Sequence, residues 1–202
     1  MLTATRVVAR PIVITGMVLL LGACGSNSGS EDDNTVNPPP DPPPTLVDAP
    51  TDHAFLTDHF SGSDNCATCH DGLSDAAGTD VSIVADWQAS VMAHSSRDPF
   101  WRAKVASEVR RNPQLGAEIE ATCSRCHTPM AHVEAEFVPT EVTLFDDGSL
   151  HPDNPLFDAA ADGVSCTLCH QIEDSAVLGT DAGFSGGFEI PFNFGTDRML
   201  YG

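Results

Sequence analysis

Three five-residue stretches constrain this chain more than anything else in it: Cys66-Ala67-Thr68-Cys69-His70, Cys123-Ser124-Arg125-Cys126-His127 and Cys166-Thr167-Leu168-Cys169-His170. Each reads C-x-x-C-H, the pattern for covalent attachment of a c-type haem. The chemistry explains the spacing. Two thiols must reach the two vinyl groups on one porphyrin edge, and the adjacent imidazole then lies under the iron as its proximal ligand. Six cysteines (Cys66, Cys69, Cys123, Cys126, Cys166 and Cys169) are therefore expected to anchor three haems. His70, His127 and His170 are expected on the three irons.

Other chemistries also use C-x-x-C. Structural zinc takes two such pairs per ion, and redox-active dithiols take one. Three pairs leave one over for zinc, and neither alternative needs a histidine straight after the second cysteine. With eight histidines in 202 residues, three such placements arise by chance on the order of one time in ten thousand, so the haem pattern is preferred. A disulfide framework, the usual reading of a cysteine-rich exported domain, loses for the same reason. The cysteines sit in close pairs, each carrying its histidine.

Composition narrows the function classes. Nine Lys and Arg stand against 29 Asp and Glu, a formal charge of −20. Without the leader that holds Arg6 and Arg10, seven cationic residues against 29 acidic ones give −22. Nucleic acid is excluded as a partner, because binding it needs a basic footprint. Long-range attraction to a basic redox protein is the functional reading of this charge; simple solubility is the plain one. Aromatic residues make up only 6 %, ten of them Phe, a thin supply for a core of this size. Haem faces would provide the missing apolar area. The expected fold is mainly α with long irregular loops, a multihaem cytochrome c in which the haems form the core.

Residues 1–23 are laid out as an export signal: Arg6 and Arg10, then an apolar run from Ile12 to Leu21 too short for a comfortable membrane span. The run ends in Leu21-Gly22-Ala23-Cys24, which resembles the lipobox of bacterial lipoproteins and implies lipidation of Cys24. No Arg-Arg pair precedes it, which disfavours a twin-arginine route. The position after Cys24 is Gly25 rather than aspartate, which by resemblance to enteric lipoproteins favours the outer membrane. The chain is thus expected outside the cytoplasm of a bacterium, anchored to a membrane on its periplasmic or surface side. Residues 24–50 run through Gly-Ser and Asp-rich pieces into Pro38-Pro39-Pro40-Asp41-Pro42-Pro43-Pro44. Proline removes donors and fixes φ, so this segment is read as a tether. The trihaem domain is assigned to 51–202.

Along that domain, His53 and His59 precede the first motif, and either is a candidate distal ligand. Ile83, Trp87, Val91 and His94 recur at spacings of four, four and three, which predicts one helical face with His94 as a distal ligand. Asp98-Pro99 predicts a capped helix start, with Trp101, Val105 and Val109 buried and Asn112-Pro113 at its end. Leu115, Ile119 and Cys123 predict the next helix. Thr128-Pro129 then ends the second motif's turn and directs His132, another distal candidate, away from the haem held through His127. Met130 is read as core, and His151 as a weaker ligand candidate. Residues 141–148 predict a short hairpin. A short helix from Asn154-Pro155 to Ala161, stopped by Asp162-Gly163, delivers the third motif. The Gly- and Phe-rich ending suggests a piece of a longer chain.

The stretch from Trp87 to His94 (W-x-x-S-x-x-x-H), Ser96-Arg97-Asp98-Pro99, the Cys-His-Thr-Pro run at 126–129 and Gly163-Val164-Ser165-Cys166 resemble the multihaem c-type cytochromes, the class that contains tetrahaem electron carriers and hydroxylamine oxidoreductase. The resemblance spans about residues 60–172. It implies mostly bis-histidine iron, with His94 and His132 as distal ligands, and haems close enough for electrons to hop. The chain has no C-x-x-C-K motif, and Tyr201 is its single tyrosine, so the catalytic members are matched less well than the carriers. The expectation is an electron-transfer lipoprotein. The competing one is the N-terminal part of a multihaem oxidoreductase acting on a small nitrogen or sulfur compound.

Overall fold

The structure is a computed structural model that describes residues 51–138, 141–191 and 199–201. The leader, Cys24 and the tether lie outside the described residues. What is described is mainly helical: α1 Ser63–His70, α2 Ile83–Gln88, α3 Pro99–Arg111, α4 Gly116–His127, α5 Pro129–Glu136, α6 Phe157–Ala161 and α7 Cys166–His170. Among the described residues there is no strand, only two isolated antiparallel bridges, Leu56 with Ser61 and Ser74 with Asp80. Long irregular connections join the helices. No helix among the described residues is long and apolar enough to cross a membrane.

The best-built part is the middle. Asp98 caps α3 by accepting the Phe100 amide at 2.8 Å, and Pro99 takes the first helical position, where its missing N–H costs nothing. Trp101 and Val105 are buried and pack with Leu144, while Val109, Ile119 and Cys123 join this cluster from the side. The expected positions of α3, with Ile119 and Cys123 of α4, therefore face a common core, whereas Leu115, expected in the same register, lies in a 3-10 turn before α4 and is 47 % exposed. Thr128 breaks the helix (φ −135°), and Pro129 starts α5 at once. A second cluster joins Phe55, Phe60, Met130, Ala131, Ala159, Ala160 and Leu168, so α5, α6 and α7 share one interior. Phe60 and Met130 are fully buried, worth about 2 kcal/mol each relative to exposure.

Two expectations are corrected. The face from Ile83 to His94 is not one helix: α2 ends at Gln88, Ile83 is 56 % exposed and Val91 87 %. The Ser90 hydroxyl accepts the Met92 amide at 3.2 Å, a local turn that competes with helix continuation. His94 consequently sits in a turn, not on a stripe. The hairpin at 141–148 is also absent as a strand pair. Glu120 of α4 takes the Leu144 amide at 2.6 Å and the Phe145 amide at 3.4 Å, donors a ladder would have used. A tight turn remains, with Ser149 N donating to Thr143 O and Asp146 at φ +55°.

Candidate functional site

All three motifs adopt the same local form. Each occupies the last turn of a helix, and the histidine is the final helical residue: His70 of α1, His127 of α4, His170 of α7. Cysteines three apart in a helix lie on one face. In every motif the first cysteine is half-buried and the second is exposed. Paired thiols on one open face beside an imidazole are what a porphyrin edge requires.

The imidazoles are oriented. His127 Nδ1 donates to the Ser95 carbonyl at 2.9 Å, and the Ser95 hydroxyl returns a bond to the His127 carbonyl at 2.9 Å. Its ring stacks on Trp101, centroids 4.3 Å apart and planes 8° from parallel. His170 is held in the same way by Tyr201, Nδ1 to carbonyl at 2.6 Å and amide to carbonyl at 2.6 Å. A carbonyl only accepts, so the proton resides on Nδ1 and Nε2 keeps its lone pair. This is the usual outer-shell device for a metal-ligating histidine. The sequence gives no sign of Ser95 or of this role for Tyr201, since a backbone carbonyl has no residue signature.

The helices bring the motifs together in two clefts. One, of ≈ 340 Å³, is lined by Cys66 and His70 of the first motif and by Cys166, Cys169 and His170 of the third, with Ile83 in its wall. The other, of ≈ 650 Å³, is lined by Cys126 and His127 with His94. Met92 and Val164 line both. Both volumes lie within the range of cofactor pockets. The exposed Ile83, Val91, Met92 and Leu200 belong to these walls, apolar surface that explains itself if something covers it. Ser165 Oγ, in the wall of the first cleft, is buried with no hydrogen-bond partner among the described residues. Such a group calls for a partner, either ordered water or a molecule seated in the cleft.

The shared wall is made by a close crossing. Gly163 has φ +69°, and a Cβ there would stand 2.6 Å from the Met92 carbonyl; only glycine fits. Val164 N donates to Met92 O at 3.0 Å, and Trp87 Nε1 donates to Val164 O at 2.8 Å. Asp162, read from sequence as part of a helix stop, does more than that. Fully buried, its carboxylate accepts Ser63 N at 3.1 Å, Ser63 Oγ at 2.8 Å and His53 Nδ1 at 2.6 Å. It ties the start of α1 to the turn before α7.

The remaining histidines fall in different places. His94 reaches the cleft of the second motif and also shares a smaller cavity with His53 and Arg97. His59 is buried, its Nδ1 on Glu134 at 3.0 Å and its ring stacked on Phe137. His132 is buried at the α4–α5 junction, with Nδ1 at 2.6 Å from Ser124 Oγ and Nε2 at 3.2 Å from Glu136. Because the Ser124 hydroxyl spends its proton on the Ala121 carbonyl at 2.9 Å, His132 Nδ1 is the donor of that bond. Neither His59 nor His132 lines the two motif clefts. His151 is exposed in a loop and accepts the Asp153 amide. Met130 packs in the core, as expected.

Thiol electrostatics bear on the rival chemistries. Burial, and then the neighbouring Cys166, push the Cys66 thiol up to about 11. Burial likewise raises Cys123, with Cys126 next in importance, and Cys169, with Cys166 next. A redox-active dithiol has a lowered pKa, the opposite direction. Among the described residues no group of three or more His, Cys, Asp or Glu side chains gathers to hold a metal ion unaided. Comparison of the chain with protein-family models, with curated proteins and with solved structures gave no match.

Proposed function

We propose that this protein is an electron-transfer lipoprotein of the multihaem c-type cytochrome class, carrying three covalent haems outside the cytoplasm. The observation that supports it best is the convergence of three C-x-x-C-H helix ends on two clefts that share Met92 and Val164. Haem, when bound, supplies the one-electron chemistry. The chain does the rest. Cys66 and Cys69, Cys123 and Cys126, and Cys166 and Cys169 hold the groups as thioethers. His70, His127 and His170 serve as proximal ligands. The Ser95 and Tyr201 carbonyls keep the Nδ1 protons of His127 and His170 in place, so that Nε2 faces outward as donor. Ile83, Val84, Met92 and Val164 supply the apolar lining that would lie against a bound haem and keep water from its face. His94 is the distal candidate that lines a motif's cleft, that of the second motif.

Lipidated Cys24 and the Pro-rich tether would place this unit at a membrane surface. Its acidic body, with no Lys or Arg from residue 51 to 96, suits docking to a basic redox protein. Intact mass with a reduced-minus-oxidised spectrum tests the whole reading. The expected result is a mass excess of three haems plus a lipid, and a spectrum unmoved by cyanide, nitrite or hydroxylamine. A colourless protein carrying zinc would sink the proposal. A haem protein that binds those small ligands would move it to the oxidoreductase reading.

A further inference from the structure

The imidazole of His127 is held by two contacts that come from one short segment. Its Nδ1 donates to the Ser95 carbonyl at 2.9 Å, which sets where one edge of the ring points. The Trp101 indole lies on its face, centroids 4.3 Å apart and planes 8° from parallel, which sets the plane. Trp101 is itself fixed. It is buried with Val105 and Leu144, and the next residue, Arg102, donates through Nε to the Ser96 carbonyl at 2.7 Å. The capped start of α3 thus delivers clamp and stack together. Among the described residues no aromatic ring is stacked on His70 or His170.

We propose that Trp101 is a positioning residue for the second site, fixing the plane of the His127 imidazole and lowering the reduction potential there relative to the same site without the stack. The inference rests on the haem reading above and names a side chain that tunes one site of the three. The sign follows from the ring's electrostatics. An imidazole bound to iron carries more positive charge when the iron is oxidised than when it is reduced. The face of an indole is electron-rich and attracts positive charge within about 6 Å of its centroid. The stack therefore favours the oxidised state. The Ser95 carbonyl acts in the same direction, because an acceptor on Nδ1 makes the other nitrogen a stronger ligand. His170 has such a carbonyl, from Tyr201, but no indole, so the difference between the second and third sites isolates the ring.

The test is a spectroscopic redox titration of the full chain as exported, with electron paramagnetic resonance of the oxidised form. In Trp101→Leu one midpoint potential is expected to rise, and the resonance of that site to broaden as the imidazole plane loosens. The site is identified as the one missing when Cys123→Ser and Cys126→Ser are combined. Trp101→Phe keeps a ring with a weaker face, so a smaller rise is expected; it also carries the test if the leucine variant does not fold. Val105→Ala loosens the same cluster without touching the stack and is expected to leave every potential in place. Unmoved potentials in both Trp101 variants would overturn the proposal, as would a phenylalanine variant that shifts as far as the leucine one. So would an equal shift in Val105→Ala, the signature of a purely structural role. An exported protein without haem mass is a different failure: it overturns the haem reading and takes this inference with it.

Discussion

Around Cys123–His127 the chain builds outward from two long helices. Cys66–His70 and Cys166–His170 instead sit in helices of eight and five residues that lean on partners about a hundred positions away. α3 and α4 are neighbours in sequence, share the Trp101, Val105 and Leu144 cluster, and are joined by Asn112-Pro113. Every Lys and Arg among the described residues, from Arg97 to Arg125, lies in this stretch. The other region contains none; besides its apolar cluster around Phe60, Ala160 and Leu168 it is tied by distant polar bonds: Ser63 to Asp162, Ser61 to Thr167, His59 to Gln171. Local contacts form at small entropic cost, whereas distant ones must first close a long loop. The second site therefore rests on the more local contacts, and the first and third lean on each other across the chain.

The sharpest way to break that comparison is Asp162→Ala. It strands the buried Ser63 amide and hydroxyl and removes the carboxylate from the part-exposed His53 ring, at a cost of about 3 kcal/mol. Denaturant unfolding checks the cost, and intact mass checks its location. On the proposed haem reading, haem content should fall from three towards one, retained at Cys123 and Cys126. Equal loss from all three motifs would show that the two regions are one cooperative unit. Glu120→Ala acts on the other side, removing the acceptor of the Leu144 amide at about 1–2 kcal/mol. Hydrogen exchange at Leu144 should accelerate while the Ser63 amide keeps its protection; faster exchange at both amides would count against separate regions.

The smallest effect is one of pH. Burial holds the pKa of His132 below its ordinary value, against the pull of Glu136. The unfolded chain then binds more protons than the folded one in the window just below 6.5. Stability from this group is present above that value and is lost as pH falls through it. His132→Gln should flatten the unfolding free energy between pH 7 and 5. An unchanged slope would remove His132 as its source.

The features written in local sequence were the legible ones. The motifs, the Asp98-Pro99 start of α3, the Asn112 end and the Pro129 restart all depend on residues within four positions of each other, where capping chemistry and φ restriction decide the outcome. The misreadings have a common physical origin. The apolar spacing through Ile83, Trp87, Val91 and His94 is real, but Ser90 turns the chain, and Met92 is claimed by Val164 some seventy residues later. The hairpin was lost to a carboxylate on α4. Asp162 looked like a helix stop because its partners, His53 and Ser63, are about a hundred residues distant. The clamps on His127 and His170 use backbone carbonyls, which carry no sequence signal at all.

One regularity has an electrical side. Each motif histidine is the last residue of its helix, so each candidate site faces the carbonyl end, where aligned peptide dipoles leave a partial negative charge. α4, with twelve residues, projects the strongest such field, and α7, with five, the weakest. A site at such an end favours whichever state of its occupant carries more positive charge, by about 0.3–1 kcal/mol per helix. The backbone alone thus grades the three sites, with the second tilted furthest towards the cationic state before any side chain is counted.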